Sequence, residues 1–169
     1  MTKMRILGID PGTITLGYGV VDEEKGIITH VACGALTSPP NTPLAERLHN
    51  IFIGLQDIIA RYQPEEAAIE KPFVAKNARS ALAVGQAIGV ATVAVTEMGI
   101  PAHHYTPTQV KQAVTSYGRS GKGQVQEMVC ILLELPSPPE PSDAADALAV
   151  AICHIQERHL LKILAEQGL

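Results

Sequence analysis

The sequence has few cysteines, and none of them stands in a paired spacing. The 169 residues contain three, Cys33, Cys130 and Cys153, without a CxxC motif. An odd number without such spacing predicts reduced thiols, and it argues against a disulfide framework or a cysteine-based zinc site. The neighbouring His103 and His104 have no partner at ligand spacing in the sequence, so no histidine metal site is expected either.

The sequence also lacks a signal peptide and a membrane span. Residues 1–5 contain no apolar run, and the longest uncharged stretch, 80–96, includes Gln86. That stretch is shorter than the roughly 20 apolar residues that cross a bilayer. We therefore expect a cytoplasmic protein without a membrane partner. Hydrophobic residues make up 46% and charged residues 18%, which is typical of one globular domain, here 1–169 with a core at about 5–158.

Charge is unevenly distributed along the chain. The net charge is −4, yet the segment 71–122 contains six basic residues and one acid, Glu97. The basic residues are Lys71, Lys76, Arg79, Lys111, Arg119 and Lys122. This asymmetry predicts a face that binds a polyanion on an otherwise acidic protein. Chance clustering of charges on solvated loops is the alternative.

Two predicted strands end in a carboxylate. Residues 5–9 are mostly apolar and precede Asp10, and 67–69 are apolar and precede Glu70; a proline-containing turn follows each acid. Ligands of α/β sheets commonly bind at the carboxyl ends of strands. Alternatively, Asp10 only closes a turn, and Glu70 forms a surface ion pair with Lys71.

The remaining pattern predicts alternating strands and helices, and hence an α/β fold. Polar residues at 22–26 predict the turn of a hairpin, and Thr42 and Ser142 are the predicted N-caps of two helices. The predicted strands are 17–21, 27–36 and 100–105, and the predicted helices are 44–62, 78–98, one from Pro107, 125–135 and 143–164.

The final helix carries two acids in its first turn. Asp143 and Asp146 are three residues apart, so they share one face. The helix dipole favours carboxylates there, which by itself accounts for many such acids. The small residues Ala144 and Ala145 predict tight packing of this turn, which would direct both acids towards the sheet.

The helix at 78–98 is apolar on nearly every side. Such a helix must be covered all round. In a small domain, one side can pack on the sheet and the other on a second subunit. Gly85 and Gly89, four residues apart, would allow close approach of another helix. A second subunit is therefore a natural cover for the outer side of this helix, although glycines at this spacing are a weak signal outside membranes.

Asp10, Glu70, Asp143 and Asp146 together indicate a metal site. Four neighbouring anions are unfavourable unless protons or cations offset them. Oxygen ligands favour Mg²⁺ or Mn²⁺, and two such ions about 3.5–4 Å apart suit phosphodiester hydrolysis.

Two further features indicate contacts with nucleic acid. Phe73 lies in a basic segment, where it could stack on an unpaired base or pack into the core. The segment 118–123 reads GRSGKG, which is not a Walker A motif but could place Lys122 near phosphates at a helix start.

Four segments resemble the RuvC family of bacterial Holliday-junction resolvases, over Ile6 to His154. They are ILGIDPGTITLGYGVVD, AAIEKPFVAKNARSALAVGQAIGVA, PTQVKQAVTSYGRSGKGQVQEMV and PSDAADALAVAICH. The resemblance implies a ribonuclease H-like fold, a five-stranded mixed sheet flanked by helices. It also implies a Mg²⁺-dependent homodimer that nicks two opposing strands of a four-way DNA junction in recombination and repair. The RuvA–RuvB junction-binding and branch-migration complex is the implied partner.

The resemblance also assigns roles to residues. Its metal-binding catalytic acids fall on Asp10, Glu70, Asp143 and Asp146, and Lys122 joins the catalytic set. The implied DNA-binding residues are Phe73, Lys76, Arg79, Lys111, Arg119 and Lys122. One departure is Lys71-Pro72, where the family more often has Gln-Val, and it stiffens the approach to Phe73.

Two other functions fit parts of the sequence. The turn 10–13 followed by Gly17 and Gly19 resembles the phosphate turn of actin-like and sugar-kinase phosphotransferases. Those proteins pair two such domains around ATP, for which 169 residues are too few. A junction-binding module without catalysis is the second alternative, and retention of all four acids argues against it.

Overall fold

The computed structural model describes residues 3–72, 77–115 and 122–168. Its strands are β1 (Met4–Asp10), β2 (Thr15–Glu24), β3 (Ile27–Thr37), β4 (Glu66–Glu70) and β5 (Ala102–Tyr105). They form one five-stranded sheet in the order β3-β2-β1-β4-β5. The pairs β1–β2 and β2–β3 are antiparallel, whereas β1–β4 and β4–β5 are parallel. The sheet is therefore mixed, as predicted.

Helices cover both faces of this sheet. They are α1 (Leu44–Tyr62), α2 (Ala78–Glu97), α3 (Pro107–Thr115), α4 (Lys122–Leu132) and α5 (Ser142–Glu166). Because side chains alternate along a strand, Leu7 and Ile9 of β1 pack with α1 and α2, whereas Ile6 packs with α3, α4 and α5. The central strand is thus buried on both faces.

The β2–β3 hairpin is tighter than the sequence predicts. Its turn is only Lys25 and Gly26, with φ of 55° and 84°, whereas a turn at 22–26 was expected. Positive φ at both positions matches the twist of the strands that a two-residue hairpin joins. Asp22 remains in β2 because Arg5 of β1 binds its carboxylate from the neighbouring strand.

The predicted N-caps are wrong. The N-cap positions of α1 and α5 are Pro43 and Pro141, and neither helix has a side-chain cap hydrogen bond. Extended ψ angles of 145° and 170° at these prolines place the start of each helix immediately after the ring, so Ser142 is already helical. Helix α4 also begins earlier than predicted, at Lys122.

Among the described residues, those that pack on helix α2 cover one side of it. Its buried residues are Ala87, Ala91, Ala94 and Val95, which pack in the same core as α1. Leu82 and Val93 are 66% and 55% exposed. By length and composition α2 could cross a membrane, a test that core helices of globular proteins also pass. The second apolar side of α2 therefore faces outward.

Candidate active site

Asp10 and Glu70 lie side by side at one edge of the sheet. Asp10 is the last residue of β1 and Glu70 the last of β4, and these parallel strands pair Ile9 with Ile69. Both isoleucines point into the α1–α2 core, so alternation directs the two acids to the face that α5 covers. Both acids are half-buried. The carboxyl edge of the central strands thus presents two neighbouring carboxylates.

Helix α5 lies directly on glycines of β1 and β2. A Cβ added to Gly17 would be 2.0 Å from the carbonyl oxygen of Asp143, and one added to Gly8 would be 2.0 Å from that of Ala147. At Gly19 an added Cβ would be 2.7 Å from Leu148. No side chain fits at any of these contacts, so the helix backbone approaches the sheet as closely as its own atoms allow.

This close approach brings the acids of α5 to the strand ends. Gly17, beneath the backbone of Asp143, is the register partner of Asp10 across the β1–β2 ladder. Asp143 and Asp146 are half-buried in the first turns of α5, between fully buried alanines. The prediction that this turn packs against the sheet is therefore confirmed.

A pocket joins Glu70 to Asp146. It has a volume of about 210 Å³, and its lining includes both acids and Lys111 of α3. Apolar walls complete it, from Pro107, Val110, Val125 and Ala149. A larger pocket, of about 740 Å³, lies around Lys3 and Arg158, and its described lining contains none of the four predicted acids. In the smaller pocket, carboxylates from a strand and a helix meet a lysine, which is the combination of groups predicted for the site.

The turn after Asp10 is tied to helix α1. Arg47 Nη1 donates a hydrogen bond to Thr13 Oγ1 at 3.1 Å, and the Arg47 Nε is buried without a hydrogen-bond partner among the described atoms. This contact across 34 residues fixes the turn that follows the acid. Sequence reasoning missed Arg47, because nothing in its local pattern indicates a contact with the turn.

The basic residues predicted to contact DNA are only partly described. Lys111 lines the acid pocket, Arg79 is exposed in the first turn of α2, and Lys122 begins α4. Phe73, Lys76 and Arg119 lie outside the described residues. Their roles stay predictions.

His103 has no partner at ligand spacing along the chain, but the fold places two ligand-bearing side chains beside it. Glu66 and His154 converge on it at the opposite end of β4, with one ligand atom from each of the three residues within 4.8 Å of the others. The partners come from β4 and α5, so spacing in the sequence could not reveal them. Only the pairing of β4 with β5 and the packing of α5 assemble this group.

The charges at this end are balanced within the fold. Burial raises the pKa of Glu66, but hydrogen bonds from Arg158 and His154 outweigh it, so the pKa lies below its usual value. Asp22 is similar: burial raises its pKa, but Arg5 at 2.7 Å and Lys3 at 2.7 Å outweigh burial, so the pKa lies below its usual value. Each acid is therefore stabilised in its charged form by nearby cations or donors.

Comparisons with known proteins agree with this geometry. A family model described as crossover junction endodeoxyribonuclease RuvC matches residues 6–154. The RuvC of Chloroflexus aggregans is 54% identical over 151 residues, which cover 89% of this chain and 92% of that protein. The structure of Thermus thermophilus RuvC in complex with Holliday junction substrate superposes with a TM-score of 0.87 at 35% identity, covering 93% and 96% of the two chains.

A more distant structure supports the fold alone. The yeast mitochondrial Holliday junction resolvase has a TM-score of 0.73 at 13% identity, covering 98% of this chain and 85% of that one. The predicted ribonuclease H-like fold and the resemblance stated above are confirmed. This chain belongs to the RuvC family of crossover junction endodeoxyribonucleases.

Proposed function

We propose that this protein resolves four-way DNA junctions by symmetric paired nicks in two opposing strands, through metal-assisted phosphodiester hydrolysis. The observation that carries this proposal is the convergence of strand-end and helix-start acids on one half-buried site. Asp10 and Glu70 share an edge of the sheet, and glycine contacts bring Asp143 and Asp146 of α5 to the same edge. Family membership supports the choice of a DNA junction as substrate.

The four acids suit hard divalent cations. Their oxygen donors and partial burial fit Mg²⁺, with Mn²⁺ as a substitute, and we propose two ions per site. Asp10, Glu70, Asp143 and Asp146 would hold them. When bound, the ions would activate the attacking water and stabilise the leaving 3′ oxygen.

The surrounding residues would bind and orient DNA. Lys111 shares the pocket with Glu70 and Asp146, so its ammonium group is placed to bind a phosphate beside the acids. Lys122 and Arg79 begin helices on the chain's basic segment, where we propose further phosphate contacts with Lys76 and Arg119. We propose that Phe73 stacks on an unpaired base at the junction.

A second copy of the chain is the proposed cover of helix α2. Its outward side exposes Leu82 and Val93, and a groove of about 340 Å³ runs between Phe52 of α1 and Gly89. A cut on each of two opposing strands requires two sites related by symmetry, which a two-fold dimer supplies. Light scattering should give twice the chain mass, and V93D should give the mass of one chain.

We further propose a cytoplasmic location and joint action with the RuvA–RuvB complex on the same junction. Membership of the RuvC family supports both. Pull-down of this protein by RuvA–RuvB assembled on a synthetic junction is the test.

A nicking assay with a catalytic variant tests the function itself. With Mg²⁺, the protein should cut synthetic four-way junctions at paired positions and leave linear duplex of the same sequence intact. D10N should abolish cleavage and keep junction binding, because it removes a metal ligand and leaves the basic residues. Binding of the junction without cleavage by the natural chain would instead indicate a non-catalytic module.

A further inference from the structure

Three ligand-bearing side chains meet at the end of β4 that lies away from the acid pocket. Glu66 Oε2 is 2.6 Å from His154 Nε2 and 3.6 Å from His103 Nε2. The imidazole rings of His103 and His154 have centroids 4.5 Å apart. His154 is buried, whereas the His103 side chain is 42% exposed, so solvent reaches the group from one side.

Each of the two deeper groups is already oriented by another residue. The Tyr105 hydroxyl lies 2.7 Å from His154 Nδ1, and burial raises the pKa of Tyr105 to about 12, so the hydroxyl keeps its proton. Arg158 binds Oε1 of Glu66, the oxygen that faces away from the histidines. Histidines and carboxylates that bind metals have outer partners of this kind.

We propose that Glu66, His103 and His154 form a site for a divalent transition metal, with zinc as its best occupant. Tetrahedral zinc with bonds of about 2.0–2.1 Å places its ligand atoms roughly 3.3 Å apart. The separations of 2.6 and 3.6 Å lie on either side of that value, and all three ligand atoms lie within 4.8 Å of one another, so side-chain shifts of about 1 Å would admit the ion. A water on the exposed side would complete the coordination.

Binding requires a change of tautomer at His154. A carboxylate only accepts hydrogen bonds, so Nε2 now carries the proton and donates to Glu66, while Nδ1 accepts from Tyr105. In the zinc form Nε2 gives its lone pair to the metal and the proton resides on Nδ1. Nδ1–H then donates to the Tyr105 oxygen, and no proton is gained or lost overall.

The donor set distinguishes this site from the catalytic one. Two imidazoles and one carboxylate favour zinc over Mg²⁺, which prefers oxygen ligands. Glu66 and Glu70 are four residues apart on one strand, which corresponds to about 13 Å. Arg158 adds a positive charge that weakens binding, so we expect a larger dissociation constant for zinc than at thiolate sites. A bound ion would join β4, β5 and α5.

Calorimetric titration with Zn²⁺ tests the proposal in the full chain with D10N and D146N, which weaken metal binding at the catalytic acids. One zinc per chain should bind, and adding H103A should weaken binding at least tenfold. The matched control is H159A, which removes a side chain 46% exposed that also faces a glutamate, Glu23 at 3.5 Å. In that control the dissociation constant for zinc should change by less than twofold.

Two further readouts separate a metal site from surface binding. Co²⁺ should give the intense visible absorption of four-coordinate cobalt, and H103A should abolish it. Excess zinc should raise the melting temperature by roughly 5 °C, and only when His103 is present. Equal zinc binding by the protein with and without H103A, or equal losses in H103A and H159A, would overturn the proposal. Cleavage of junctions plays no part in these measurements, so they stand or fall independently of the proposed nuclease function.

Discussion

Strand β4 carries a glutamate at each end, and the two have opposite surroundings. Both point towards α5 and both are half-buried. Glu66 lies among bases, namely Arg158, His154 and His103. Glu70 shares its pocket with Asp146 and Lys111, beside the end of the strand that carries Asp10. The same residue type on one strand therefore has two different sets of charged neighbours.

The difference shows how position assigns a role to a carboxylate. At Glu66 the fold supplies its own positive groups, and these hold the pKa of the acid below its usual value despite burial. At Glu70 the fold gathers further acids, whose oxygen atoms are ligands of the kind that divalent cations prefer. Substitutions at the two ends should accordingly affect different properties.

The largest expected effect separates the two glutamates by activity. E70Q should lower junction cleavage by roughly 1,000-fold or more, because it removes one of the four proposed metal ligands. E66Q, the same chemical change 4 positions earlier, should leave cleavage within about threefold. Single-turnover nicking at saturating protein measures both. Equal losses in the two variants would mean that the ends of β4 are not functionally distinct.

The next effect tests how α5 reaches the acid end. G17A should destabilise the fold by about 3 kcal/mol or more, because its Cβ would collide with the backbone of α5 at Asp143. G123A is the control, since an added Cβ there has open space. Urea unfolding compares them. If G17A and the natural chain had similar free energies of unfolding, α5 could move away from the sheet with little loss of stability.

A smaller effect is expected on the free energy of unfolding when Glu66, at the other end of β4, is replaced. E66Q should cost about 1–3 kcal/mol at neutral pH, because the amide has no negative charge and its NH2 group cannot accept one of the two hydrogen bonds that Arg158 and His154 donate. The folded pKa of Glu66 is below its usual 4.5, so this contribution is complete above that value and disappears as pH falls through the folded pKa. The difference in free energy of unfolding between the natural chain and E66Q is measured at neutral pH and at about pH 3, where it should be smaller. A difference that stays constant or widens in acid would contradict the stabilising role of the charged Glu66.

The smallest expected effect is on the salt dependence of junction binding, and it compares a lysine near each end of β4. K111A should reduce the salt dependence of junction binding by about one phosphate contact, because Lys111 lines the acid pocket. Lys162 lines the larger pocket at the opposite end, and K162A should leave the slope unchanged. Fluorescence anisotropy at several salt concentrations resolves the difference. An altered slope in K162A would extend the DNA-binding surface to that end.

The sequence predicts the strand-end acids well because the signal is local. An apolar run ending in Asp10, and a second one ending in Glu70, indicate where each strand stops. Alanines around Asp143 likewise indicate a helix start packed on the sheet. Boundaries were less accurate: proline rings at 43 and 141, and not the expected Thr42 and Ser142 side chains, precede the two helices.

Contacts between distant elements could not be predicted in the same way. The Glu66–His154 pair spans 88 residues, and the Arg47–Thr13 contact spans 34. Neither has a pattern of its own in the sequence. The glycines under α5, by contrast, could be recognised in the sequence. Gly17 and Gly19 are two residues apart and so lie on one face of β2, and glycine inside a strand indicates a close backbone approach.

The bare glycine face under α5 limits which substitutions the protein can accept. Any mutation that adds a methyl group at position 8, 17 or 19 would meet the helix within 3 Å, whatever happens to the acids. A copy of the gene that retains all four carboxylates could still be inactivated by one such change. Screens of genomic variants for loss of resolvase activity should therefore score these three glycines alongside the acids.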